Sequence, residues 1–331
     1  MTVKVKLVGR DVSFDAPKSQ SILDAALSAG VQIGHSCKTG QCGACKATLF
    51  RGDVLFADEY LCLTPFERER GVVLTCISFP QTDVELDVDY FPELARIEQK
   101  IVPCKVSSVL FPVPEVSILR LRVPPNCQFN YLPGQYLDLT YSGVTRSYSI
   151  AAQSVFENTI ELHIRKIEGG LFSSRIFDGL KTETLMRLRG PLGTFFVREG
   201  SRPLLFIAGG TGFAPVKAMI ERLILEQDCR SIYFYWGLRH SSHLYSSLPI
   251  EWAEKYTNIR TKIVVSDDYG WEGAKGLVHE VVVSDFPSFQ GFDVYVCGAP
   301  AMIAVTRDAL IKKGLESRNF HADAFHPSVA Q

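Results

Sequence analysis

Cys37, Cys42 and Cys45 stand within nine residues of one another in the stretch HSCKTGQCGACKATL, at the spacing C-x4-C-x2-C. Cys76 follows 31 positions after Cys45, in the segment GVVLTCIS. Four thiolates are what a 2Fe-2S cluster requires, and one tight loop supplies three of them when small residues let backbone amides approach the sulfurs. Gly40, Gly43 and Ala44 meet that need. Two other readings stay open: four cysteines packed in a core, and structural zinc, whose sites usually pair two short C-x2–4-C elements. Cys62, in YLCLTP, competes with Cys76 for the fourth position. His35 could suggest a Rieske-like ligand, but four thiols already suffice, and it is read as a loop histidine.

Further along, RSYSIA places Arg146, Tyr148 and Ser149 close together, a pattern that by itself is often one solvated strand face. GGLFSS follows at 169–174, with Gly170 and Ser173. AGGTGFAP reads G-x-G-x-x-P through Gly210, Gly212 and Pro215, so the third glycine of a dinucleotide fingerprint is missing, and a lone glycine turn is a weak signal. About 20 residues on, where a Rossmann fold places an acidic ribose ligand, the chain has YFYWG. YVCGAP, with Cys297 and Gly298, ends a later apolar segment, and core packing is an equal reading for this cysteine. No Ser-His-Asp set, zinc-protease helix or P-loop competes for catalysis.

These residues need elements to hold them. Val3, Val5 and Leu7 alternate with lysines and run into DVSF after a Gly-Arg turn, which predicts a hairpin. SILDAALSAG predicts one short helix, with Ser21 as cap, Asp24 three residues on, and Gly30 to end it. KATLFRGDV, GVVLTCIS and DVELDV complete a small sheet. Residues 88–103 mix aromatic, proline and charge without a period and read as a connector.

From 101 to 197 the pattern is all β and predicts a small antiparallel barrel: Leu119, Leu121 and Val123 alternate with Arg120 and Arg122, and Ile160, Leu162 and Ile164 with Glu161, His163 and Arg165. His163 and Arg165 then share one face, either solvated or against a ligand. After residue 201 buried strands such as PLLFIA and FDVYVCG alternate with helical stretches, one of them carrying Val216, Met219, Ile220, Leu223 and Ile224 behind Pro215. That alternation predicts a parallel sheet wound with helices. The division expected is therefore residues 1–92, 98–198 and 200–331, a multidomain chain of α+β and α/β parts.

Composition narrows the partners. A formal net charge of -1 over 331 residues offers no general attraction for nucleic acid or an anionic membrane. MTVKVKLVGRDVSF lacks the apolar run of a signal peptide, no stretch is long and apolar enough to span a bilayer, and a cytoplasmic location is expected. In that reducing setting nine cysteines favour metal binding or burial over disulfides.

The C-x4-C-x2-C loop resembles the plant-type ferredoxin family, whose fold is the β-grasp. That family's long last separation assigns Cys76 as fourth ligand and leaves Cys62 as a buried small hydrophobe. The succession LPGQYLDL, RSYSIA, GGLFSS and AGGTGFAP resembles the ferredoxin-NADP reductase superfamily. The resemblance implies that Arg146 pairs with a flavin phosphate, Tyr148 packs on the isoalloxazine, Ser149 lies near N5, and Gly170 and Ser173 open a pyrophosphate-binding helix. Thr211 would lie near the nicotinamide, Cys297 and Gly298 would flank the reacting carbon, and Phe325 of DAF would stack over the flavin.

Over nearly the whole chain, SILDAALSAG, QKIVPCKV, GVTRSYSIA and GGTGFAPVK are similar to the family of CDP-6-deoxy-Δ3,4-glucoseen reductases. The similarity implies transfer of electrons from NADH through FAD and a 2Fe-2S cluster to a partner dehydrase in 3,6-dideoxyhexose biosynthesis for O-antigen. Two alternatives stand beside it: the reductase of an aromatic-ring dioxygenase or di-iron monooxygenase, and a ferredoxin-type carrier with an inactive nucleotide domain. Asp267 and Asp268, after KIVVS, would repel a 2′-phosphate and favour NADH, unless Arg239 supplies the missing charge.

Overall fold

The computed structural model describes residues 1–56, 62–153 and 158–325, so the first two residues of YLCLTP lie outside the described residues. Two compact units emerge. One takes Met1–Glu98 with Gly193–Phe195 and Ala322–Ala324; the other takes Gln99–Leu192, Phe196–His321 and the chain from Phe325.

In the first unit β1 (Thr2–Leu7) and β2 (Ser13–Pro17) form the expected antiparallel hairpin, and Val3, Val5 and Leu7 point inward while the lysines stay in water. Helix α1 (Ile22–Ser28) starts where the Ser21 hydroxyl accepts the Asp24 amide at 3.1 Å. Gly30 follows it at φ 75°, a conformation that costs glycine nothing. Then come β3 (Lys46–Arg51), β4 (Val54–Phe56), α2 (Pro65–Glu69), β5 (Val72–Leu74), β6 (Ser78–Pro80) and β7 (Val84–Val88). The main sheet runs β2-β1-β7-β3-β5, with β1 and β7 parallel, while β4 and β6 pair separately. Ile22, Leu23 and Ala26 of α1 join Val5, Leu74 and Leu86 in one core. Each such Leu or Ile side chain stabilises the fold by roughly 1.5–3 kcal/mol. The sequence predicts one helix here; α2 is a second, set by the Thr64–Glu67 capping box and Pro65, and five residues are too few to show a period.

The second unit begins with β8 (Lys100–Val113), so the connector is shorter than the sequence suggests. Val102, Cys104 and Val106 are buried while Ile101 and Pro103 face outward, and an exposed isoleucine hides the alternation. β9 (Val116–Arg122), β10 (Tyr136–Tyr141), β11 (Val144–Ser149), β12 (Thr159–Arg165), the seven-residue α3 (Leu171–Phe177) and β13 (Leu185–Leu192) follow. The six strands pair antiparallel in the order β11-β10-β13-β8-β9-β12. An isolated bridge, Ile150 to Leu162, brings the two ends of this sheet together.

The same unit continues with β14 (Leu204–Gly209), α4 (Phe213–Leu225), β15 (Ile232–Leu238), α5 (Leu248–Lys255), β16 (Ile259–Val265), β17 (Ala274–Lys275), α6 (Val278–Asp285), β18 (Asp293–Gly298), α7 (Pro300–Lys312) and the start of β19 (Phe320–Ala324), whose last three residues group with the first unit. Strand order is β17-β16-β15-β14-β18-β19, and the pairs from β17 through β18 are parallel. The chain moves outward from β14 to β17 and then returns to the opposite side of β14. A crevice at such a reversal, beyond the carboxyl ends of the strands, is where open α/β sheets bind ligands.

Candidate functional site

The cysteine loop lies between α1 and β3, and left-handed turns at Lys38, Gly40 and Gly43 fold it back on itself. At Gly40 the left-handed backbone, φ 74°, would strain any side chain, and a Cβ would also press on the end of Ile77 at 2.7 Å from Cδ1. The turned backbone aims amides at sulfur: Thr39 N–H donates to Cys37 Sγ and Ala44 N–H to Cys42 Sγ, each at 3.4 Å, and the Gly40 amide to Cys76. Cys45 Sγ lies 3.2 Å from Cys76 Sγ, and Cys42 interacts in the same way with Cys37.

The four thiols therefore form two pairs. Among the described residues no three or more His, Cys, Asp or Glu side chains gather as the shell of one metal ion. Two thiols for each of two irons is the set a 2Fe-2S cluster needs. The neighbouring Cys37 sulfur and burial push the Cys42 thiol up, and Cys76 with burial does the same to Cys45. These donors fit a group whose positive charge stabilises them as thiolates. Cys62 is instead packed in the core with Leu63 and Ile77. His35 is buried, with Nδ1 2.8 Å from Ile33 O, and burial lowers its pKa to about 4.

In the second unit, Arg146, Tyr148 and Ser149 sit on β11. The Tyr148 ring packs 5.5 Å from that of Phe172, which brings β11 against the GGLFSS turn, and Ser149 is buried. Gly170 precedes α3, where a Cβ would come within 2.7 Å of Ser173 Oγ. The Ser173 hydroxyl closes this turn by accepting from Ile167 N–H at 3.1 Å and lying near the carbonyls of Ile167 and Gly170.

At the strand reversal Gly210, Thr211 and Gly212 make a single 3-10 turn that runs directly into α4, with Pro215 in its first turn. Backbones meet here: a Cβ on Gly212 would lie 2.3 Å from Cys297 O, and Ala208 pairs with Cys297 across β14 and β18. Cys297 is fully buried, Gly298 has φ 149°, and the Phe325 amide donates to Gly298 O at 2.9 Å. Arg146 to Ser173 thus form one group, and Gly210 to Pro215 with Cys297, Gly298 and Phe325 another.

Several residues in this unit escaped the sequence. His163 is neither solvated nor at an open ligand face: it is buried, with Nδ1 3.0 Å from Tyr245 Oη. Burial lowers its pKa, so the ring is neutral. Arg165 alone takes the expected exposed position. Glu161, Lys217 and Tyr245 join His163, and the Trp236 indole N–H donates to Gly210 O at 2.9 Å. Only the Lys217–Glu221 spacing of four on one helix was a visible signal.

Residues 5–81 match the 2Fe-2S iron-sulfur cluster binding domain, residues 103–197 the oxidoreductase FAD-binding domain, and residues 206–308 the oxidoreductase NAD-binding domain. These three modules define an iron–sulfur flavoprotein oxidoreductase. The chain is 46% identical over 329 residues, 99% of its length and 100% of the relative, to CDP-6-deoxy-L-threo-D-glycero-4-hexulose-3-dehydrase reductase of Yersinia pseudotuberculosis serotype I (strain IP32953). Protein RfbI of Salmonella typhimurium (strain LT2) is also 46% identical, over 98% of this chain and 97% of that one. The Amycolatopsis cytochrome P450 reductase GcoB has a similar structure, with a TM-score of 0.75, 28% identity, and coverage of 98% of this chain and 99% of that one. The chain belongs to the family of CDP-6-deoxy-L-threo-D-glycero-4-hexulose-3-dehydrase reductases. Its cofactors are accordingly a 2Fe-2S cluster, FAD and NAD. No helix among the described residues is long and apolar enough to cross a membrane.

Proposed function

We propose that this reductase takes electrons from NADH and delivers them to a separate dehydrase acting on a CDP-linked 4-hexulose in 3,6-dideoxyhexose biosynthesis. The observation that carries the electron-transfer reading is the arrangement of Cys37 with Cys42 and Cys45 with Cys76 in two pairs. The choice of dehydrase rests on 46% identity over 99% of the chain to a reductase named for that partner. The cofactors supply hydride acceptance and single-electron transfer.

In this reading residues 1–92 are a β-grasp ferredoxin domain, 98–198 an antiparallel flavin barrel and 200–331 the nicotinamide domain, working in the cytoplasm. The thiols of Cys37, Cys42, Cys45 and Cys76 hold the cluster, and the Thr39, Gly40 and Ala44 amides stabilise negative charge on sulfur. Arg146 pairs with flavin phosphate, as its fixed fork suits. Tyr148 would cover the ring, and the Ser149 hydroxyl would serve the reacting edge of the flavin. Ser173 holds its turn in shape so that Gly170 admits the pyrophosphate. Gly210, Thr211 and Gly212, with Pro215 behind them, would bring backbone close to a bound nicotinamide, Cys297 and Gly298 would line its site, and Phe325 would cover the flavin.

A second reading, a reductase serving an oxygenase, is favoured by the likeness to GcoB, a cytochrome P450 reductase. Purified protein should contain iron, labile sulfide and flavin at about 2:2:1. It should support NADH-dependent turnover when the dehydrase is added. Stoichiometric zinc without sulfide would overturn the cofactor assignment, turnover only with an oxygenase would favour the second reading, and failure to oxidise NADH would leave an electron carrier.

A further inference from the structure

Hydride transfer on the proposed reading joins two groups of residues on different layers of the second unit: the end of β11 and the turn Gly210–Gly212. We propose that Lys217 is a positioning residue for this step, the pin that holds the Ser149 strand against the turn opening α4.

An ammonium has three donors, and all those of Lys217 are engaged in a side chain only 12% exposed. One donates to Ala151 O at 2.8 Å, two residues beyond Ser149. Another meets Glu161 Oε1 at 3.2 Å, and the third Glu221 at 3.0–3.1 Å. Lys217 itself stands five residues after Gly212 on α4, so the bond to Ala151 ties the two layers directly.

Glu161 is fixed from its own sheet. Arg120, opposite it on β9, donates through Nε at 2.9 Å, and His163 Nε2 lies 3.3 Å away. A second arm crosses the layers from His163 to Tyr245, whose ring stands edge-on to Trp236 at 5.1 Å, and Trp236 donates to Gly210 O. With neutral His163 the tautomer follows: Nε2–H donates to Glu161 and Nδ1 accepts from the Tyr245 hydroxyl. Two cations and two carboxylates balance. The first arm runs from the end of the Ser149 strand to α4 and the second from β12 to the nicotinamide turn, and neither Lys217 nor Glu161 belongs to the groups assigned to touch cofactor.

Hydride transfer is steeply sensitive to donor–acceptor placement, and a displacement of about 1 Å can cost 10²-fold. The test is anaerobic single-turnover reduction of bound flavin by NADH in the holoenzyme, with wild type, Lys217→Met, Lys217→Arg and the double variant Lys217→Met/Glu221→Gln, which leaves no unpaired Glu221 charge. The limiting rate per bound flavin should fall about 10- to 100-fold in both Met variants. NADH affinity should change less than about threefold. Lys217→Arg should recover most of the rate, and hydrogen exchange at the Ile150 and Ala151 amides should quicken in the Met variants.

A limiting rate per bound flavin equal to wild type, with only thermal stability lowered, would show a structural role and overturn the proposal. So would a loss confined to NADH affinity. If neither Met variant folds, a Lys217→Arg protein with unaltered rate and exchange would support the pin, and one that folds but stays slow would overturn it. Failure of wild type itself to reduce its flavin with NADH would instead overturn the function on which this inference rests.

Discussion

The cysteine loop and the crevice proposed for nicotinamide are built in opposite ways. In the loop, three of four thiols come from nine consecutive residues, and the amides that reach them belong to the same turn. In the crevice, Gly212 and Cys297 are 85 positions apart and meet only because β14 and β18 are neighbours in a sheet whose order reverses between them. A local site survives changes elsewhere but depends on each ligand. An assembled site depends on the packing that brings its parts together.

The largest effect should come from the cluster. Cys76→Ser removes one of four thiols, and the isolated protein should lose the visible absorption of the cluster and electron delivery to a protein acceptor. Reduction of ferricyanide by NADH should persist through the second unit. Cys62→Ser, in the core, should keep the cluster and cost only about 1–2 kcal/mol of stability for a hydroxyl exchanged into that site. Loss of the cluster in Cys62→Ser with retention in Cys76→Ser would reverse the ligand assignment.

Next in size is damage to the assembled site. A Cβ at Gly212 would sit 2.3 Å from Cys297 O, a backbone atom that no side-chain rotation can move. Gly212→Ala should reduce NADH-driven flavin reduction at least about 10²-fold. The cluster, reduced chemically by dithionite, should keep its wild-type spectrum. A cluster lost along with nicotinamide activity would mean the two regions are not separable.

Acidification should strike the second unit through its buried histidines. Burial lowers His163, and it lowers His321, stacked on Tyr295, to about 3. Their unfolded counterparts protonate near 6.5, so the stability they contribute is intact above that pH and is lost as pH falls toward the folded values. The expected slope is about 1.4 kcal/mol per pH unit for each group below 6.5. Urea unfolding of the second unit's tryptophan signal between pH 7 and 5 measures it, and His321→Phe should flatten the slope by one proton. A pH-independent midpoint would contradict neutral burial.

The smallest effect concerns nucleotide choice. Arg239, the cation that could serve a 2′-phosphate, donates through Nε to Asp267 at 2.7 Å, and Asp268 accepts from the Ser241 hydroxyl and the Gly270 amide. With Arg239 so occupied, kcat/KM should be higher for NADH than NADPH. Asp267→Asn should narrow the preference by roughly tenfold, the scale of one ion pair released to a ligand. An unchanged ratio would place the discrimination elsewhere.

Much of this architecture was legible as periodicity. The β1–β2 hairpin, capped α1, the alternation in β9 and β12, and the β14–α4 unit all follow from spacing along the chain. Helix α2 and the start of β8 were hidden, one by its length and the other by an outward isoleucine. His163 and Glu161 illustrate a deeper limit. Alternation says that they leave the core of the antiparallel sheet, but not that a second layer waits on the other side, and so a face that reads as solvated or ligand-facing becomes a buried polar junction.

By itself the sequence determined the chemistry that local spacing can carry: three thiols in a loop turned by glycines, a helix capped by serine, a glycine turn between strand and helix. Such features depend on backbone preference and covalent reach over a few residues, and no distant contact is needed to define them. Tertiary structure decided the rest: which thiol completes the second pair, that Cys297 closes on Gly212, and that Lys217 reaches Ala151. Those contacts join residues dozens of positions apart, and they exist only where buried apolar surface makes the sheets pack, because hydrogen bonds alone are worth too little to hold distant segments together.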